Sequence, residues 1–290
     1  MSLRLLCPNC REPLAPASMT CPNGHTFDCA DGVLALLKGD FRRELLDFTT
    51  RLDAMRAAGD KRLLDASAYE QLPFDQAHRR DKSWRVEWRL RCYDLAVVLQ
   101  LIGAPSRQRI LDVGAWNGWL SQRLGARGHA VTAIDFFAGE YDGLRARQFY
   151  RAPAWDAIQM DLRDLSLLDA QFDAVILNHC LQFFPAPADY VAEAKRRVAP
   201  GGRLILIGLQ FFHDPRPKAR SVAAQQQIYR KRYRAELFLF PNKGYLDSDD
   251  RERLSAQGIA LRSYPQLWLA NLKAWLNPAL PEHAFGVWDS

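Results

Sequence analysis

The sequence predicts an α/β fold: a seven-stranded, mainly parallel sheet with helices on both faces, preceded by a helical bridge and a small metal-stapled ribbon. Three observations predict it. From residue 109 onward, apolar runs of strand length alternate with helical segments. The first run is followed by a glycine-containing turn, and the second closes on an acid, Asp135. Three cysteines and a histidine cluster within the first twenty-five residues.

At 290 residues the chain has room for one catalytic domain and a small appendage. Hydrophobic residues make up 48% and charged residues 25%, the balance of a globular protein. No apolar run approaches the roughly 20 residues that span a bilayer. The stretch from Met1 to Leu6 lacks a signal-peptide core and cleavage site, so a cytoplasmic protein with no membrane contact is expected. The formal charge of +6 is compatible with a polyanionic partner without requiring one. Oligomeric state has no signature in the sequence.

In a reducing cytosol, clustered cysteines point to a metal rather than to disulfides. Cys7 and Cys10 form one knuckle; Cys21 and His25 form the second, with Pro8, Pro22 and Gly24 shaping the turns. These soft and borderline donors suit structural zinc, with Cys29 the alternative to His25 as fourth ligand. So small a segment buries too little apolar surface to fold unaided, and zinc would supply the difference. Cys7 to Cys10, Cys21 to Asp28 and Asp31 to Leu37 resemble the N-terminal zinc ribbon of bacterial large-subunit rRNA guanine methyltransferases. They are also similar to free-standing ribbons that activate partner methyltransferases. That resemblance implies a structural or docking role for residues 1–40.

Residues 41–103 read as a helical bridge. Leu45, Leu46, Phe48, Leu52 and Met55 share one helical face. Ser83 is placed to cap a second helix from Trp84, with Val86, Leu90, Tyr93, Val97 and Leu101 on one stripe. Arg79, Arg80, Lys82, Arg85, Arg89 and Arg91, interleaved with Trp84 and Trp88, make either an RNA-contacting patch or a solvated helix face.

The remainder, 104–290, carries the sheet. Residues 109–113 form the first strand, 119–124 a helix and 130–134 the second strand. Gly114 and Gly118 let backbone pass close to a ligand, and Asp135 is placed to accept both hydroxyls of a ribose. A dinucleotide-binding dehydrogenase shares this layout, but the glycine spacing is not G-x-G-x-x-G and Asp112 lies within the strand. The run from Ile110 to Gly118 resembles motif I of class I S-adenosylmethionine (SAM)-dependent methyltransferases, with Trp116 replacing a third glycine. Its bulky side chain is expected to point away from the cofactor. Strands at 157–160 and 172–178, a helix at 189–198, the turn Pro200, Gly201 and Gly202, and a strand at 203–207 continue the resemblance in order. The resemblance implies a Rossmann-like fold and a SAM site built from Asp112, Gly114, Ala115, Gly118, Asp135, Asp161, Leu162 and Asn178. Asp161 and Leu162 would meet the adenine.

A methyltransferase needs a base only when the acceptor must lose a proton. His213, after the fifth strand, and His179, after the fourth, are the candidates, each equally readable as a hydrogen-bonded pocket histidine. Residues 209–246 read as an insertion over the acceptor pocket, with Gln210, Phe211 and Phe212 at its start. Asp247 or Ser248 caps a helix to about Gln257, before a sixth strand at 259–261 and an antiparallel seventh at 285–288. A small-molecule acceptor is expected. The alternatives are an rRNA or tRNA base, with the ribbon docking RNA, and a SAM-binding scaffold without turnover.

Overall fold

The computed structural model describes residues 3–57, 64–75, 82–103 and 106–290. Arg79, Arg80, the side chains of Met55 and Ser83, and the expected domain start at residue 104 lie outside the described residues. Among the described residues no helix is long and apolar enough to cross a membrane.

The central strands follow the expected order. They are β3 (Arg109–Val113), β4 (Ala130–Asp135), β5 (Trp155–Met160), β6 (Phe172–Asn178) and β7 (Val198–Phe212). All five run parallel, with β3 and β6 adjacent at the centre. This is the reversal point where an open sheet leaves a crevice at its carboxyl ends. β10 (Glu282–Asp289) inserts antiparallel between β7 and β9 (Ala260–Ser263). Leu111, Ile176 and Ile205 are fully buried, as expected of strands covered on both faces.

Among the described residues the sheet has ten strands, not the expected seven. β1 (Cys29–Ala30) and β2 (Val33–Leu36) belong to the segment read as ribbon, yet β2 pairs parallel with β5 and lengthens the sheet. The cause is ordinary: β5 would otherwise present a row of unpaired amides, and an apolar run satisfies them. The tenth, β8 (Leu246–Asp247), pairs with Phe211 and Phe212 of β7. The segment before β1 also packs into the main core, where Leu5, Leu14 and Phe27 join Leu165, Leu167 and Leu168.

β7 is longer than the expected 203–207. The Pro200–Gly202 turn survives as a bulge within it, with Gly201 at φ 74°, and its far end is held by β10 as far as Phe211 and by the short strand β8 at Phe212. Val198, expected at a helix end, starts this strand, and the helix α4 spans Pro187–Lys195.

In the bridge, α1 (Gly39–Ala57) buries Phe41 and Leu45 but exposes Leu46, and α2 (Lys82–Ile102) begins before Ser83. α2 buries two faces. Leu90, Tyr93 and Val97 pack on Tyr264 and Phe285, while Trp88, Leu95, Val98 and Ile102 enter the core. Val86, placed on the apolar stripe, is exposed, and Arg91, placed on the solvent face, is buried. Its guanidinium lies 4.9 Å from the Trp88 ring centre and 5.2 Å from that of Trp116.

Beyond the sheet centre, α3 spans Trp119–Gly125, α5 Arg216–Tyr233, α6 Ser248–Ala256 and α7 Trp268–Leu276. α6 starts in a capping box: Asp247 accepts from the Asp250 amide at 3.1 Å and Asp250 accepts from the Asp247 amide at 3.0 Å.

Candidate active site

The turn after β3 is tied to the end of β4, because the Gly114 and Ala115 amides both donate to the Ile134 carbonyl. Gly114 has φ 74°, and a Cβ there would fall 2.6 Å from Cys180 Cβ. Gly118 opens α3 at φ 76°, and a Cβ there would strike the Trp155 ring, so packing by itself requires a glycine at this position. Trp116 holds φ 53° with its amide donating to Asp135 Oδ2 at 2.8 Å. Its ring, expected to point away, forms part of a cavity wall beside Trp88.

That cavity, about 450 Å³, opens at the carboxyl ends of β3 and β4. Of the residues expected at a SAM site, Gly114, Asp135, Leu162 and Asn178 line it, as does His179. Asp112, Ala115, Gly118, Asp161 and His213 do not line it. Asp112 lies fully buried beneath, accepting from Ser121 Oγ at 2.6 Å and Asn178 Nδ2 at 3.1 Å. It therefore couples α3 to the end of β6. Asp161 faces Arg163, whose guanidinium donates to it at 2.6 Å and lies 3.5 Å from the Phe240 ring centre.

Asp135 accepts from the Trp116 and Phe137 amides, at 2.8 and 2.9 Å. Burial nevertheless raises its carboxyl to about 6, and burial raises Asp112 to about 6 as well. Both folded values exceed the unfolded value of about 3.9, so protonation favours the fold. The associated stability is complete below about pH 4 and is lost as pH rises through about 6. We expect the urea midpoint of the ligand-free protein to carry a falling component between about pH 4 and 6. Asp112→Asn should reduce it by roughly half, Asp135 supplying the rest; an unchanged slope in that variant would contradict the assignment.

His179 sits at φ 52° just after β6, its amide held by the Ile207 carbonyl. Its Nε2 lies 2.7 Å from Asp94 Oδ2, and the other Asp94 oxygen accepts from the Tyr264 hydroxyl. Asp94 is completely buried on α2. A Cβ at Gly208 would fall 2.2 Å from His179 Nδ1, so the glycine makes room for the ring. Sequence reasoning missed Asp94 and Tyr264, and it placed Arg91 in the basic patch rather than at the cavity. The available signal was an acid within the apolar positions Trp88, Leu95 and Val98 of α2.

His179 also lines a second cavity of about 750 Å³, which shares Arg91, Phe183, Leu237 and Phe238 with the first. Gln210 and Phe212 line it as well, whereas Phe211 is fully buried. His213 lines neither cavity. It is bonded to Ser248 Oγ at 3.1 Å and Glu282 at 2.9 Å.

In the N-terminal segment, one donor atom from each of Cys7, Cys10, Cys21 and His25 lies within 4.8 Å of all the others. The Cys10 and Cys21 sulfurs are 3.6 Å apart, and His25 Nδ1 is 3.3 Å from Cys21 Sγ. A zinc tetrahedron with bonds of about 2.3 Å needs separations of about 3.8 Å, so the donors fit. The Glu12 backbone first, then Asn23, Cys7 and His25, lower the Cys10 thiol to about 6, favouring a thiolate. Cys29 is exposed in β1 and outside the cluster.

Residues 111–206 match the family described as a methyltransferase domain. A ribosomal RNA small subunit methyltransferase C from Chromohalobacter salexigens is 33% identical over 128 residues, 42% of this chain and 38% of that protein. A demethylmenaquinone methyltransferase from Tropheryma whipplei is 28% identical over 152 residues, 52% of this chain and 57% of that protein. The chain thus spans between about a third and three-fifths of these relatives. An O-methyltransferase family protein from Burkholderia thailandensis aligns at 15% identity and a TM-score of 0.47, covering 84% of this chain and 69% of that one. The stretch that builds the first cavity's floor, from β3 through β6 into β7, is the stretch that carries the methyltransferase-domain match.

Proposed function

We propose that the chain is a SAM-dependent methyltransferase acting on a small-molecule acceptor, with a structural zinc at Cys7, Cys10, Cys21 and His25. The ribbon (1–40), bridge (41–103) and catalytic unit (104–290) are parts of this reading. The observation that carries it is the meeting of two cavities at His179: one with Asp135 at the carboxyl ends of β3 and β4, the other behind it. The matched family and the methyltransferase relatives support the same chemistry.

Asp135, Gly114, Leu162 and Asn178 would hold SAM, whose sulfonium supplies an electrophilic methyl group. The acceptor approaches from the second cavity. With Nε2 committed to Asp94, His179 keeps Nδ1 to take the proton of an acceptor hydroxyl. With that proton taken, the acceptor oxygen would be free to receive the methyl group, S-adenosylhomocysteine being the other product. Asp94 orients the ring and stabilises the imidazolium. Phe183, Phe184 and Phe238 exclude water from the first cavity. A small acceptor is favoured over RNA because the acceptor side of His179 is a cavity rather than an open basic face, and two of the cations in the basic runs, Arg91 and Arg230, are paired with Glu87 and Glu236.

His179→Gln tests the assignment. It should lower kcat about 100-fold or more, the usual worth of a positioned base, and leave affinity for S-adenosylhomocysteine within a few-fold. Asp94→Asn should also lower kcat, by about tenfold or more, because the ring loses the carboxylate that orients it. Unchanged kcat in the first variant would overturn the base role.

A further inference from the structure

The second cavity has an uneven charge distribution. Glu87 is the one carboxylate in its wall, and it lies 3.0 Å from Arg91 in an ion pair. Two further cations line the same space, Arg89 from α2 and Lys218 from α5. Among the described residues neither stands in an ion pair. Lys218 Nζ instead lies 5.7 Å from the Phe212 ring centre, held against an aromatic wall. Tyr93 and Tyr245 extend that wall, and His179 with Gly208 borders the cavity where it meets the first.

We propose that the acceptor is an anionic hydroxyl compound, its carboxylate or phosphate held by Arg89 and Lys218 and its apolar body lying along Phe212, Tyr93 and Tyr245. This deepens the reading of the site as a methyltransferase and rests on it. The physical case is electrostatic. Two cations that line one partly enclosed, aromatic-walled space give it a positive potential, and an anion is drawn to it. Arginine matches a carboxylate or phosphate through paired donors, and lysine adds a point charge. The same arrangement gives direction. Binding through the anionic end leaves the hydroxyl end free to reach His179, so affinity for the charged group is converted into alignment of the reacting oxygen.

The test uses the full-length protein and labelled SAM with a metabolite extract of the source cells, split on an anion exchanger. Methyl acceptor activity should bind the exchanger and elute with salt. Phosphatase treatment of that fraction separates the two sources: loss of activity assigns a phosphate, retention a carboxylate. With the retained fraction as substrate, Arg89→Met/Lys218→Met should raise KM about tenfold to 100-fold, with S-adenosylhomocysteine affinity much less affected. Acceptor activity in the flow-through, RNase-sensitive label, or an unchanged KM in the double variant would each overturn the proposal. Label in no fraction, while S-adenosylhomocysteine still binds, would overturn the catalytic reading beneath it and this inference with it. Failure to bind S-adenosylhomocysteine would reject the SAM site itself.

Discussion

Asp135→Ala is expected to weaken S-adenosylhomocysteine binding about 100-fold or more, measured by calorimetry. Two effects add. The variant removes the acceptor placed for two ribose hydroxyls, each a charge-assisted hydrogen bond of about 1.5–3 kcal/mol. It also releases the Trp116 and Phe137 amides, at 2.8 and 2.9 Å, which shape the turn around the ligand. Asp135→Asn separates the two effects. Its amide oxygen still accepts one backbone amide, so it should retain more turn order while still losing the charged ribose contact. Near-native affinity in the alanine variant, with the thermal midpoint intact, would place the SAM site elsewhere.

Cys21→Ser is expected to release one equivalent of zinc, measured by elemental analysis, and to lower the melting temperature by about 10 °C or more. Cys21 is buried, and its sulfur lies within contact of both Cys10 and His25. A structural zinc contributes about 10–16 kcal/mol of apparent binding energy to a small ribbon. Loss of even a few kcal/mol moves the midpoint of a domain this size by several degrees. Cys29→Ser provides the contrast: exposed and outside the cluster, it should change neither metal content nor midpoint. Protein purified without zinc, and insensitive to chelator, would remove the metal from the account.

The strand order was legible because a buried parallel strand needs an apolar run, and residues 109–113 and 203–207 are such runs. The acid after β4 and the turn after β3 were legible for the same local reason. What the sequence hid was long-range. Val33–Leu36 is as strand-like as the others, but its partner β5 lies more than a hundred residues away, so the run was assigned to the ribbon. Asp94 reaches His179 from α2 and Tyr264 reaches Asp94 from the segment after β9, and no local spacing joins them. His179 and His213 both follow strand ends. The chain reverses differently at each, turning one toward the cavities and the other toward Glu282. Arg91 eluded a hydropathy pattern because its burial depends on two tryptophan faces, one of them in the turn after β3.

The addition of β2 to the sheet makes the N-terminal segment a guard as well as a module. Without it, β5 would show a free edge whose residues, Ala157, Ile158 and Met160 among them, are now buried. An exposed edge of that composition is a template for pairing with another chain. β2 is anchored close to its own knuckles, and Leu6 is tied to Leu167 on the opposite side of the segment. Undoing the Cys and His cluster would therefore convert a local loss of order into self-association, with turbidity following the loss of metal rather than the loss of the catalytic sheet.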